Sequence, residues 1–312
     1  MISRRDAATG MVSAALAFVA LPSRGRAATQ TLRVGYQKYG NLLLLKASGL
    51  LEEKLKPLGT QVAWRQFVSG PALLEALAAG AIDYGTAGET PPVFAQAAGA
   101  PLLYYGSEPA APKGEAILVL KDSPVKAVAD LKGKKVALNK GSNVHYLLVR
   151  ALAEAGLTPK DISPIYLAPP DGRAAFERGS VDAWVIWDPY MAAAQAAGRV
   201  RTLVDGTGLV SNHQFYLGSR RFTDKQVLAS LHDAIAEIDA RTAHDPAAAA
   251  KLLSPEMGLP EDVLAVALRR QAWGVQPMDG KLVGEQQNIA DTFFKLGLIP
   301  TPIKIADALA PA

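Results

Sequence analysis

The residues best placed to do chemistry lie in the run 137–156, ALNKGSNVHYLLVRALAEAG. Residues 136–139 read as a short buried strand, Lys140 and Gly141 break it, and Ser142 or Asn143 stands where a helix N-cap belongs. Val144, Leu147, Leu148, Ala151, Leu152 and Ala155 then recur at helical spacing, with Gly156 as the stop. The first N–H groups of a helix have no partner within it, and the dipole makes that end electropositive. Such an end can hold an anion without any catalytic residue. The same residues also suit an ordinary capped helix in an α/β domain, so the rest of the chain has to decide.

Other chemistry is scarce. The chain has no Cys, which excludes disulfides, thiolate metal sites, a cysteine nucleophile and a lipidated N-terminal cysteine. His145, His213, His232 and His244 do not fall at metal-ligand spacing. There is no G-x-S-x-G elbow, H-E-x-x-H pair or Walker loop. The sequence predicts no catalytic residue, no cofactor and no metal.

The elements around the run alternate. Strands are expected at 31–36, 61–67, 82–86, 102–105, 116–119, 165–167, 183–186, 202–204 and 215–218, with helical stretches between most of them. From Asp224 onward the chain reads as helical, punctuated by Pro246, Pro255 and Pro260. Such alternation argues for an α/β fold with parallel sheets and crossover helices. There is an internal echo: Gly80-Ala81-Ile82-Asp83 is matched by Gly179-Ser180-Val181-Asp182, and Glu89 beside prolines is matched by Asp188 beside Pro189. Two similar α/β lobes would each deliver loops from the C-terminal ends of their strands, where ligands of open sheets bind, and would face each other across a cleft.

The N-terminus is a separate matter. Residues 1–27 join a basic start with Arg4 and Arg5, an apolar stretch and small residues before a cut after Ala27, the pattern of an export signal. The arginine pair suggests twin-arginine export, yet Asp6-Ala7-Ala8 replace the bulky apolar residue usual after it, so Sec export stays open. The signal carries four Arg against one Asp, most of the chain's net +4. The basic balance is therefore poor support for nucleic-acid binding. A periplasmic location follows as an expectation.

With these residues in hand, the chain resembles a periplasmic substrate-binding protein of an ABC importer. It is similar to the aliphatic sulfonate binders, in the group that also holds taurine, nitrate and thiamine-precursor binders. The segments GYQKYG (35–40), DLKGKKVA (130–137) and NHQFYL (212–217) carry part of the likeness, and DLKGKKVA marks the wider class only. GETPPVFAQ (88–96), KGSNVHYLLVR (140–150) and the stretch 174–190 ending DAWVIWDPY are more specific and point to the sulfonate branch. The resemblance implies a two-lobed, type II-like periplasmic-binding fold with the ligand cleft between lobes. Crossings are expected near 115–119 and 212–217, with 28–115 and 218–312 forming lobe one and 116–217 lobe two.

Carried over position by position, the resemblance places Gln37, Lys38 and Tyr39, the turn Gly88-Glu89-Thr90, and Glu108 on one wall. Ser142, Asn143, Val144 and His145, then Trp187 and Asp188, line the other, with Gln214 at the second crossing. A sulfonate is a tetrahedral, fully ionised anion with three acceptor oxygens, so N–H and O–H donors suffice without a full counter-charge. Trp187 could wall the organic tail. Glu89 and Asp188 are awkward beside an anion and are expected to bond backbone N–H groups or a polar group on the tail. His145, in a first helical turn, is expected to be neutral.

The implied partners are a small organosulfonate and an inner-membrane permease and ATPase, with the protein itself a monomer. The competing readings are a binder of taurine, nitrate or a sulfate ester, an enzyme of thiamine-pyrimidine type on the same fold, and a sensor module.

Overall fold

The computed structural model describes residues 30–311, so the expected export signal lies outside the described residues. The strands run β1 (Gln30–Gln37), β2 (Thr60–Phe67), β3 (Tyr84–Gly88), β4 (Leu102–Ser107), β5 (Glu115–Leu120), β6 (Lys135–Leu138), β7 (Ser163–Tyr166), β8 (Ala183–Trp187), β9 (Val200–Asp205) and β10 (Gln214–Ser219). They form two five-stranded sheets, ordered β2-β1-β3-β10-β4 and β7-β6-β8-β5-β9. The sheets are mixed and not purely parallel. β1, β2 and β3 are parallel, as are β6, β7 and β8, but β10 and β5 run antiparallel to both their neighbours. These are the two strands that follow a passage of the chain from one sheet to the other. The passages lie between Ser107 and Glu115 and between Asp205 and Gln214.

β10 pairs only with β3 and β4, so residues 214–217, assigned to lobe two from sequence, sit in the first sheet. Glu115, assigned to lobe one, opens β5 in the second.

The internal echo has a structural basis. Asp83 accepts the Arg33 N–H at 2.9 Å and its own N–H donates to the Arg33 carbonyl at 2.8 Å. Asp182 does the same to Lys135, at 2.8 and 2.8 Å. In each copy a Gly with positive φ ends the helix (Gly80 at 73°, Gly179 at 71°), a geometry that costs glycine little. The aspartate then ties the new strand to its parallel neighbour, β1 in the first sheet and β6 in the second, and sets the parallel register.

Helices α1 (Asn41–Ser48), α2 (Leu50–Leu55), α3 (Gly70–Ala78) and α4 (Thr90–Ala97) belong to the first half, and α5 (Asn143–Glu154), α6 (Pro169–Glu177) and α7 (Tyr190–Ala196) to the second. The chain ends in α8 (Lys225–His244), α9 (Pro246–Met257), α10 (Glu261–Arg270) and α11 (Gly280–Lys295). Leu42–Leu45 are all buried, which suits a helix enclosed between a sheet and α8 and α9. The terminal helices pack on the first sheet, as expected from the resemblance, and also reach the second half. Phe293 and Ile289 of α11 share a core with Tyr146 and Val149 of α5, and Val263 and Ala267 of α10 pack on Ala192 of α7. Among the described residues no helix is long and apolar enough to cross a membrane, and no group of three or more His, Asp or Glu could hold a metal ion.

Candidate binding site

A narrow cleft separates the two sheets at the C-terminal ends of β1, β3, β6 and β8. Gln37, Tyr39, Gly70, Gly88, Pro91 and Gln214 line it from the first half; Ser142, Asn143 and Trp187 line it from the second, with Asn212 on the returning passage. The enclosed space is about 30 Å³, room for little more than a water. No Lys or Arg is among these residues.

The strand-turn-helix at β6–α5 forms as its sequence predicts, with Ser142 at the N-cap and Gly141 at φ 73°. Its hydrogen bonding differs from expectation. The Ser142 hydroxyl donates backward to the Asn139 carbonyl at 2.7 Å, and no side chain caps the helix. The Gly141 N–H donates to His145 Nδ1 at 3.2 Å. The N–H groups of Asn143 and Val144 are left without a capping acceptor, and the dipole favours an anion there.

Asn143 joins the walls. Its Nδ2 donates to Asn212 Oδ1 at 2.6 Å, and its Oδ1 accepts the Thr90 N–H at 3.3 Å. The amide lies directly over Gly88, where any Cβ would overlap it. Asn212 holds φ at 52°, a left-handed conformation that Asn adopts more readily than most residues, and its Nδ2 donates to the Ala111 carbonyl at 2.9 Å. Gln37 Nε2 donates to the Thr86 carbonyl at 3.1 Å.

Of the sequence-predicted residues, Gln37, Gly88, Ser142, Asn143, Trp187 and Gln214 come together at the cleft, along with Tyr39. Lys38, Glu89, Thr90, Glu108, Val144, His145 and Asp188 are not among the side chains lining it. Each has a physical reason except Lys38, whose half-buried position nothing in the structure explains. Thr90 spends its N–H on Asn143, while Pro91 and Pro92 have none, so the start of α4 offers an anion far less than the start of α5. Val144 is core. Glu89 turns away and accepts the His213 N–H at 3.1 Å; burial pushes its carboxyl up to about 8. Glu108 is buried beside the Tyr216 hydroxyl, 3.4 Å away, and burial raises its pKa well above the usual range.

His145 packs between Phe94 and Phe293, and burial lowers it to about 4, helped by nearby Lys140. It is neutral at pH 7, as expected. Asp188 accepts the Ala192 N–H at 2.9 Å, again as expected, and lies 3.2 Å from Arg270. Burial raises Asp188 to about 6, and Arg270 opposes the rise.

Sequence reasoning missed Gly70, Pro91 and Asn212 as lining residues. Pro91 lay inside a motif already marked, and Asn212 at an expected crossing. Gly70 carried no signal beyond opening a helix.

The comparisons with known proteins agree with one another. Residues 25–253 match the NMT1-like family. The chain is 46% identical over 279 residues to a protein of Escherichia coli (strain K12) that carries the name of an aliphatic sulfonates-binding protein, covering 88% of this chain and 87% of that one. Among solved structures it is similar to the alkanesulfonate-binding protein SsuA from Xanthomonas axonopodis pv. citri bound to MOPS, with a TM-score of 0.87, 42% identity, and 91% and 100% of the two chains covered. It is also similar to the periplasmic aliphatic sulphonate binding protein SsuA from Escherichia coli, with a TM-score of 0.82, 43% identity, and 91% and 93% covered. With most of its length matched in sequence and its two sheets matched in structure, the chain belongs to the NMT1-like family and has the two-lobed α/β fold of these SsuA proteins.

Proposed function

We propose that this chain is the periplasmic solute-binding component of an ABC importer and carries aliphatic sulfonates. The observation that supports this most is the uncapped start of α5, opening on a cleft lined by neutral donors and an indole. A sulfonate needs several N–H and O–H donors around its three oxygens and no proton acceptor. The N–H groups of Asn143 and Val144, the Tyr39 hydroxyl and the Gln214 amide meet that need, and Trp187 offers an apolar face to a tail. Gln37 and Ser142 also line the cleft. The names of the two SsuA relatives point to the same ligand class.

The cleft is too small here for a sulfonate, so its walls must part to admit one and close over it. In this reading the two sheets with their helices are the moving bodies, divided at the passages 107–115 and 205–214. The protein releases its ligand unchanged to a membrane permease and acts as an exported monomer.

Calorimetric titration of residues 28–312, refolded to strip co-purified ligand, tests the proposal. The panel is alkyl sulfonates of increasing length, taurine, an aryl sulfonate, an alkyl sulfate, nitrate and sulfate. Micromolar binding of organosulfonates with sulfate and nitrate silent is expected. Binding of nitrate alone, or turnover of any member, would remove the reading.

A further inference from the structure

Asp188 poses a problem for an anion site. It follows Trp187 directly in the chain and is fully buried behind the cleft wall. Its N–H donates to the Gly114 carbonyl at 2.9 Å, which fastens this turn to the first passage between the sheets. An ionised carboxylate here would repel a sulfonate held in the cleft beside Trp187.

The answer comes from a distant helix. Arg270, in the last turn of α10, lies with Nη1 3.2 Å from Asp188 Oδ2 and 3.3 Å from Oδ1. Its Nη2 donates to Gln195 Oε1 at 2.7 Å. Arginine keeps its charge when buried, and its planar fork suits a carboxylate. The next residue, Gln271, stands beside the Tyr39 hydroxyl, so the end of α10 meets both walls of the cleft. α10 is held in place by Val263 and Ala267 against Ala192 of α7.

We propose that Arg270 is a specificity-determining positioning residue: by cancelling the Asp188 charge behind Trp187, it lets this cleft accept an organic anion. This rests on the reading of the cleft as a sulfonate site. The other ionisable group that interacts with Asp188 is Tyr39 on the first wall, and Glu115, paired with Trp187 in the sheet, also acts on Tyr39. Burial raises both, which favours their uncharged forms, and Arg270 is the cation in contact with the Asp188 carboxylate.

The test measures pentanesulfonate binding by calorimetry for the wild-type chain, Arg270→Met, Asp188→Asn and the double variant, with circular dichroism as the folding check. Arg270 opposes the rise that burial causes in Asp188, so its loss raises that carboxyl further, and the variants are compared at about pH 9.5, where the carboxylate is ionised; there Arg270→Met is expected to bind about tenfold more weakly. The double variant is expected within about threefold of wild type, and Asp188→Asn no weaker than wild type. Between about pH 9.5 and about pH 6, Arg270→Met recovers affinity as Asp188 takes a proton, while the double variant follows the wild type. A purely structural role would leave the double variant as weak as the single one, and that result overturns the proposal. Unchanged binding by Arg270→Met overturns it too. If Arg270→Met does not fold, the double variant decides, because it removes both charges together. Silence of the wild-type chain across the sulfonates defeats the reading of the cleft and the proposal with it, whereas tight wild-type binding with an insensitive Arg270→Met defeats the proposal alone.

Discussion

Replacing Gly88 by Ala isolates the contact that closes the cleft. A Cβ at Gly88 would overlap the Asn143 side-chain amide, and the nearest atoms around it all belong to Asn143. Gly88 does not hold a positive φ, so Ala brings no backbone strain of its own. The amide has to move, and with it go the bonds to Asn212 Oδ1 at 2.6 Å and from the Thr90 N–H at 3.3 Å. Each is worth about 1 kcal/mol net, so closure becomes about 2 kcal/mol less favourable. A ligand bound only by the closed form then loses apparent affinity by about 30-fold. The lobes keep their cores, so the melting temperature without ligand should move by less than about 2 °C. Titration with an alkyl sulfonate and a thermal melt measure the two effects. Binding within twofold of wild type, or a large loss of stability with unchanged affinity, would refute the reasoning. Gly88→Ala/Asn143→Ala should behave like Asn143→Ala alone, since no amide remains to be displaced.

Glu89 supplies a pH signature. Its carboxyl is raised from 4.5 to about 8 by burial, so its contribution to stability is fully present below pH 4.5 and is lost as pH rises towards about 8. The slope is about 1.4 kcal/mol per pH unit, and Glu108 and Glu115 act in the same direction. His145, lowered from 6.5 to about 4, acts oppositely: its contribution is present above pH 6.5 and is lost as pH falls. Denaturant melts of Glu89→Gln should therefore show a flatter decline above pH 6.5 than wild type, and an unchanged decline would remove the assignment. Trp187→Ala should weaken long-chain sulfonates about tenfold and short ones much less, as judged by titration across tail lengths. A uniform loss would mean that the indole is structural. Asp182→Ala removes the carboxylate that receives the Lys135 N–H at 2.8 Å and should lower stability by about 1–2 kcal/mol in urea melts, with sulfonate affinity kept in the folded fraction.

Much of the fold was legible in the chain itself, because its signals are local. Apolar spacing marked β6 and α5, glycine marked their ends, and the repeated Gly-x-x-Asp marked a unit that occurs once in each sheet. Asp83 and Asp182 do the same work because each lies next to the strand that it ties down. The strand-turn-helix at 136–156 was legible for the same reason, but the missing cap was not, since the Ser142 hydroxyl turns back to the Asn139 carbonyl. What the chain could not show was how its polar side chains would be spent. Asn143 looked like a ligand donor, but tertiary structure commits its amide to Asn212, 69 residues away. Glu89 and Asp188 looked equivalent, yet one reaches the returning passage and the other meets Arg270, 82 residues on. Sequence determines which groups a turn carries and which way its strand and helix run. Whether a buried carboxylate is charged, cancelled or neutral depends on segments that meet only in the folded chain, where low dielectric makes each such meeting count.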